Sequence, residues 1–435
     1  MAILSSLILS LSLASVAGVH TPEGIYSGKK SLRNSPTEIL AQAFRTTKNG
    51  GRSIPVVKRE SLRKQMWQKG HDVTNKTGAF RLLVPKGFVQ GGENGVHKTI
   101  IKDYMDCQYF VPVSIGDETN KDFLVIPDTG SSNLWVPSDE CEDSGCTQHT
   151  QYRGSALSSS PKNTEYKTGK SFAIQYGSGQ CAGSIAVSTV DFAGFSVEKT
   201  AFGLAEQEPG TTFISAAFDG ILGMAFNSIS VWNREEFAKD VHSKTIFEGI
   251  IESEQFPKDK QQFSFYLGSE GKDGELTLGD VNEDLIEGTK DDIHWVDLSS
   301  ETYWQFHVDS MSVDGHKAEH LEMIADTGTS LIAGPSLFVS NLNQICFGEP
   351  NPEMVDCKLK STAPDVTLNI RGKDFVLTAQ EYIMQWDTEG KQCMSAFTPM
   401  DIGNQQLWIL GDVFLRKYHT TFHFGNKQLG FVKAI

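Results

Sequence analysis

The sequence predicts a mostly β, two-lobed body preceded by a basic leader. Three observations carry that expectation. After about Ile100 the chain breaks into short runs rich in Val, Ile, Phe, Tyr and Thr, separated by Gly, Asn, Asp and Pro. A segment around Asp128 recurs around Asp326, 198 residues later, and each copy is followed by a similar apolar companion. The charge changes sign along the chain, from a net +10 over residues 18–100 to a net -25 over 101–435.

At 435 residues and 39% hydrophobic, the chain can build more than one packed domain. Its net charge of -15 argues against nucleic acid as a partner, because phosphate binding needs clustered Lys and Arg. Residues 1–17 are almost all Ala, Ile, Leu, Ser and Val and end in small residues, which reads as a signal peptide. No Lys or Arg precedes that apolar core, so a signal anchor is the alternative. Nothing after it approaches the length of a membrane span, and no stable span is expected once the signal is removed. Residues 18–100 hold 15 basic against 5 acidic side chains. Such a segment is either a solvated arm or a pro-segment lying across the acidic body, released when carboxylates protonate near about pH 4.

Strands are expected at Tyr109 to Ile115, Phe123 to Ile126, Phe172 to Tyr176, Phe263 to Leu267, Thr367 to Ile370 and Thr420 to Phe424. Helices are expected at Glu235 to His242 and Pro335 to Ile345. The repeat sets Phe123 to Ser132, containing Asp128-Thr129-Gly130-Ser131, beside Met323 to Ser330, containing Asp326-Thr327-Gly328-Thr329. The companions are Phe218 to Gly223 and Trp408 to Asp412, each with an Ile-Leu-Gly. A lone Asp-x-Gly is ordinary turn chemistry. Two copies on apolar strands instead suggest a duplicated lobe, each contributing one carboxylate held at a tight turn.

With these residues in view, the chain resembles the pepsin family of aspartic proteases, in precursor form, from Asp103 to Ile435. The likeness extends to Asn133 to Ser138, Tyr176 to Gly179, Tyr303 to Gln305 and the pro-region stretches Ile54 to Lys58 and Ser61 to Lys64. It implies the two-lobed pepsin-like fold with the cleft between lobes, placed here at 101–285 and 286–435, with 18–100 as pro-segment. It also implies an aspartic endopeptidase acting at acidic pH, with Asp128 and Asp326 as the catalytic pair and no metal or other cofactor. Aspartic proteases are the standard case of two carboxyls about 3 Å apart holding one shared proton. By resemblance, Thr129 and Thr327 brace the lobe junction, Ser131 and Thr329 bond the carboxylates, and Gly130 and Gly328 receive substrate backbone. Tyr176 would lie on a flap with Gly177 and Ser178, bonded to Trp135, and Ile126, Phe213, Phe218 and Ile221 would line the cleft.

The same resemblance implies disulfides Cys141–Cys146 and Cys357–Cys393. Cys107, Cys181 and Cys346 are extra, and the family's disulfide just before the second motif is missing from Gly315 to Glu322. Pro127 stands where the family has a larger apolar residue, so a ladder bond beside the site could be lost. Lys98 is the expected pro-segment amine latching the pair. Expected partners are polypeptide substrates, the chain's own pro-segment as inhibitor and pepstatin-type inhibitors, with the enzyme a monomer in the secretory pathway, secreted or in an acidic vesicle. The rival is a peptide-binding homologue that keeps the fold without activity. His316 with His320, and His419 with His423, are spaced by four but enclose no Glu of a zinc protease. Asn75-Lys76-Thr77 is a glycosylation acceptor in form.

Overall fold

The computed structural model describes residues 108–435 except 117–121, 178, 210–212, 215, 254–255, 269–272, 353, 386–392 and 403–405, together with the backbone strands Arg45–Thr46, Arg52–Ser53 and His97–Tyr104. The expected signal peptide, most of the pro-segment, Asn75, Cys107 and Ser178 lie outside the described residues.

The architecture is mostly β and two-lobed, and the repeat in the sequence is a repeat in space. Strand Asp122–Asp128 runs parallel to Gly220–Gly223, with Asp128 opposite Gly223, and the latter strand is antiparallel to Leu134–Pro137. In the second lobe, His316–Ala325 runs parallel to Leu407–Leu410, with Ala325 opposite Leu410, and Ile332–Gly334 completes the set antiparallel. Each Asp therefore leaves a strand whose parallel neighbour is the Ile-Leu-Gly companion. Strands covered on both faces need continuous apolar runs rather than alternation. Asp122–Asp128 meets this requirement, since every residue after the first is buried.

Pairing through Pro127 is unbroken as far as Asp128, and the Pro127 carbonyl accepts from the Thr327 hydroxyl. The position uses an acceptor, which proline retains.

The lobes share a sheet in the order His97–Tyr104, Gly274–Leu278, Gln262–Tyr266, Tyr418–His423, Gln428–Lys433, His294–Glu301. Its first strand straddles the boundary expected at residue 100, and Lys98 stands opposite Thr277 there. Behind the sheet, aromatic rings from both halves of the chain interlock: Phe263 stacks on Phe422 at 5.0 Å, and Trp304 meets Phe422 at 5.1 Å and Phe226 at 4.8 Å. Burying each such ring contributes about 2–3 kcal/mol.

Helix Ser336–Phe347 forms as expected, with Pro335 at its N-cap and Gly348 in the left-handed region (φ 78°) at its end. Its buried residues Val339, Leu342, Asn343 and Cys346 follow helical spacing. The helix expected at Glu235 to His242 does not form. The structure has a single 3-10 turn, Arg234–Glu236, after which the backbone is extended at Phe237. His242 is instead drawn into pairing with the strand Phe195–Gln207: its N–H donates to Lys199 O and its carbonyl accepts from Ala201 N. The nearby helix is Ile246–Glu252, closed at its start by a reciprocal Thr245 and Glu248 capping box.

Both expected disulfides are present, Cys141–Cys146 and Cys357–Cys393. Cys181 and Cys346 are free and buried. Burial raises the Cys181 thiol well above its usual range and that of Cys346 to about 11, so both stay protonated.

Candidate active site

Asp128 ends its strand and Asp326 follows one, and both are almost wholly buried, at 3% and 0% exposure. The two loops hold their carboxylates alike. Asp128 Oδ1 accepts from Gly130 N at 2.8 Å and Oδ2 from the Ser131 hydroxyl. Asp326 Oδ1 accepts from Gly328 N at 2.8 Å and Oδ2 from the Thr329 hydroxyl at 2.6 Å.

The two carboxyls also lie close together, since the point where a Gly328 Cβ would stand is near both Asp128 Oδ1 and Asp326 Oδ1. Their approach explains the glycines. A Cβ added at Gly130 would stand 2.6 Å from the Asp326 carboxylate oxygens, and one at Gly328 would stand 2.2 Å from Asp128 Oδ1. Any side chain there would push the pair apart.

Burial is the main force raising both acids, and for Asp326 the Asp128 charge adds to it, taking it well above the ordinary carboxylate range. The hydrogen bonds from Ser131 and Gly130 pull Asp128 the other way. Two such groups cannot both ionise cheaply, so the pair keeps one proton where an isolated Asp would have lost it.

The threonines cross the junction. Thr129 N donates to Thr327 Oγ1 at 3.1 Å and Thr327 N to Thr129 Oγ1 at 3.0 Å, while the Thr129 hydroxyl donates to Ala325 O at 3.0 Å. Five buried groups are thereby satisfied across the lobes, which fixes the loops relative to each other.

Tyr176 follows strand Tyr166–Gln175, which pairs with Gln180–Phe192 as a hairpin closed by Tyr176 N to Gly179 O at 2.7 Å. Its hydroxyl accepts from Trp135 Nε1 at 2.7 Å, and Gly177 beside it is exposed. Phe213 meets the Trp135 ring edge-on at 5.4 Å and Phe218 at 6.3 Å, and Ile126 and Ile221 lie in the same apolar cluster. On the second lobe, Ile324, Ile402, Leu407 and Ile409 pack together with Tyr303 beside them.

With this geometry in place, the comparisons decide the family. The model for eukaryotic aspartyl proteases matches residues 108–434. This chain belongs to that family. It is 38% identical to a cathepsin D of Dictyostelium discoideum over 351 residues, covering 77% of this chain and 85% of the relative. Against cathepsin D of Gallus gallus it is 36% identical over 397 residues, 88% and 94% of the two chains. Against pepsin A of Bos taurus it is 33% identical over 386 residues, 87% and 97%. Membership makes the chain an aspartic-type endopeptidase with polypeptide substrates.

Among the described residues, no cluster of three or more His, Cys, Asp or Glu could hold a metal, and no helix is long and apolar enough to cross a membrane. His419 is buried, and burial pushes its imidazole down to about 3, so it is neutral at the pH of most proteins.

Sequence reasoning missed one contributor beside the aspartyl protease pair. Met224 N donates to the Asp128 carbonyl at 2.7 Å. Its position directly after the first Ile-Leu-Gly, parallel to the Asp128 strand, was the available signal.

Proposed function

We propose that Asp128 and Asp326 are the catalytic dyad of an endopeptidase that cleaves extended polypeptides in acid, and that this chain is its inactive precursor. The observation that carries the reading is the pair of buried carboxyls that equivalent loops bring to one point, a Cβ at Gly328 standing 2.2 Å from Asp128 Oδ1 and 3.3 Å from Asp326 Oδ1. With one proton on the pair, the ionised carboxylate takes a proton from water as its oxygen attacks the scissile carbonyl. The protonated partner gives its proton to the carbonyl oxygen. Collapse of the tetrahedral intermediate returns a proton to the leaving nitrogen and restores the singly protonated pair. Which Asp carries the proton in the free enzyme is a property of the pair.

Gly130 and Gly328 leave room for substrate backbone, and Tyr176 and Gly177 on their hairpin cover it. Ile126, Phe213, Phe218 and Ile221 favour a bulky apolar side chain at the cleavage point. Residues 1–17 direct the chain into the secretory pathway, towards secretion or an acidic vesicle. Residues 18–100 are the inhibitory pro-segment of a monomeric enzyme whose lobes are 101–285 and 286–435, with Lys98 the amine proposed to latch the dyad. The opposite charges of segment and body support release on acidification, since the carboxylates titrate while Lys and Arg do not.

The test is cleavage of denatured globin by the refolded precursor between pH 3.5 and 7. Cleavage that appears in acid, accompanied by loss of residues 18–100 and blocked by pepstatin, is the expected result. Activity that is greatest at pH 7 or indifferent to pepstatin would overturn the reading.

A further inference from the structure

Trp304 is fully buried, yet its indole N–H is spent on a single carbonyl in the other lobe: Nε1 donates to Met224 O at 2.9 Å. Met224 in turn donates its own N–H to the carbonyl of Asp128 at 2.7 Å. The same short segment holds the rest of the first loop, with Ala225 N donating to Ser131 O at 2.8 Å and the Ser132 hydroxyl donating to Phe226 O at 2.6 Å.

Trp304 begins the strand Trp304–Val313, which pairs with the strand leading to Asp326, Gln305 standing opposite Ile324. One side chain thus starts beside the support of the second carboxylate and ends on the support of the first. We propose that Trp304 is a positioning residue for the dyad, setting the separation and tilt of Asp128 relative to Asp326 through the Met224 peptide.

The bond is directional where the surrounding packing is not. Trp304 packs on Phe226 at 4.8 Å, Phe422 at 5.1 Å and Phe263 at 5.5 Å, contacts that another ring can approximate. Of the contacts Trp304 makes, only the N–H is directed at the Met224 carbonyl, and a buried carbonyl left without its donor moves to find another. Two weaker straps join the same pieces, Phe226 N to Thr302 O at 3.2 Å and the exposed Ser228 hydroxyl to Glu301 O at 2.6 Å. Trp304 lies outside the apolar clusters that flank the cleft, so its loss leaves substrate binding intact. A displacement of about 1 Å at reacting groups costs up to about a hundredfold in rate.

The inference rests on the dyad reading, so activity is normalised to active sites titrated with pepstatin in wild type, Trp304→Phe and Phe422→Leu. The expected result for Trp304→Phe is a kcat per titrated site about tenfold lower, KM within about twofold of wild type, and a displaced acid limb of the kcat profile. Phe422→Leu, which disturbs the same packing without touching Met224, should lower Tm and leave kcat per site unchanged. A Trp304→Phe enzyme with wild-type kcat per site and wild-type pH limbs would overturn the inference while leaving the dyad standing. A wild type that neither cleaves nor titrates would overturn both. If Trp304→Phe yields no titratable enzyme, Ser228→Ala loosens the same segment from the surface. A kcat two- to threefold lower then supports the inference, and a wild-type kcat refutes it.

Discussion

Glu208 is a carboxyl with almost no exposure, at 2%, and no hydrogen-bond partner for its Oε1. Its backbone N–H donates to Asp143 at 2.8 Å, and a Cβ at Gly145 would lie 3.0 Å from its Oε2, so it is pressed against the loop of the first disulfide. Burial first, then the charges of Asp143 and Asp219, raise it to about 8 from an ordinary 4.5. A carboxyl whose folded pKa is raised stabilises the fold fully below the unfolded value and loses that contribution as pH climbs towards the folded one. The window here runs from about pH 4.5 to about pH 8. Glu208→Gln should therefore gain roughly 2–3 kcal/mol at pH 7 and little at pH 4. Thermal unfolding of the two proteins at both pH values checks this, and an equal change at both would show that Glu208 is not titrating in that window. Nothing in the sequence marked this residue. A Glu in a polar stretch after a strand reads as solvated, and its burial depends on packing against a loop more than sixty positions away. Asp128 and Asp326 were legible for the opposite reason, because duplication repeats the local signal.

At the scale of elements, the apolar runs located the strands because a strand covered on both faces, such as Asp122–Asp128, is continuously apolar, while one covered on a single face, such as Val366–Ile370, alternates. The helices were less readable. Asn233 and the Glu235-Glu236 pair look like a helix start, and they do form a turn, but the backbone beyond is recruited by the neighbouring strand. The helix that does form, Ile246–Glu252, starts at a Thr245 and Glu248 capping box that the sequence reading passed over. The tip of the hairpin proposed as the flap is tied to the strand below it by the bond from Trp135 Nε1 to the Tyr176 hydroxyl, within a cluster that is otherwise apolar. Trp135→Phe keeps the ring contact with Phe213 and removes that donor. We expect kcat/KM to fall about five- to thirteenfold, since a net hydrogen bond contributes about 1–1.5 kcal/mol. Tm should fall by no more than a few degrees. Steady-state kinetics on an apolar peptide substrate would check it, and an unchanged kcat/KM would mean the flap is held by packing alone.

On the scale of the whole molecule, one large apolar core runs through both halves, smaller clusters lie within each, and the two Asp loops meet at the junction. The shared sheet supplies the bulk of that joint, and the crossed threonines and the Trp304 indole supply its precision. In the proposed mechanism neither half acts alone, because each owns one carboxylate and the shared proton belongs to both. The two-lobed plan was legible from the repeat, whereas the cross-lobe bonds were not, since Trp304 and Met224 carry no local motif for each other. The most direct test of the account is to change each carboxylate separately and assay globin cleavage at pH 3.5 on protein shown to be folded. Asp128→Ala and Asp326→Ala should each lose at least about a thousandfold in kcat, with the double variant scarcely worse than either single one. Substantial activity surviving in either single variant would contradict a shared dyad.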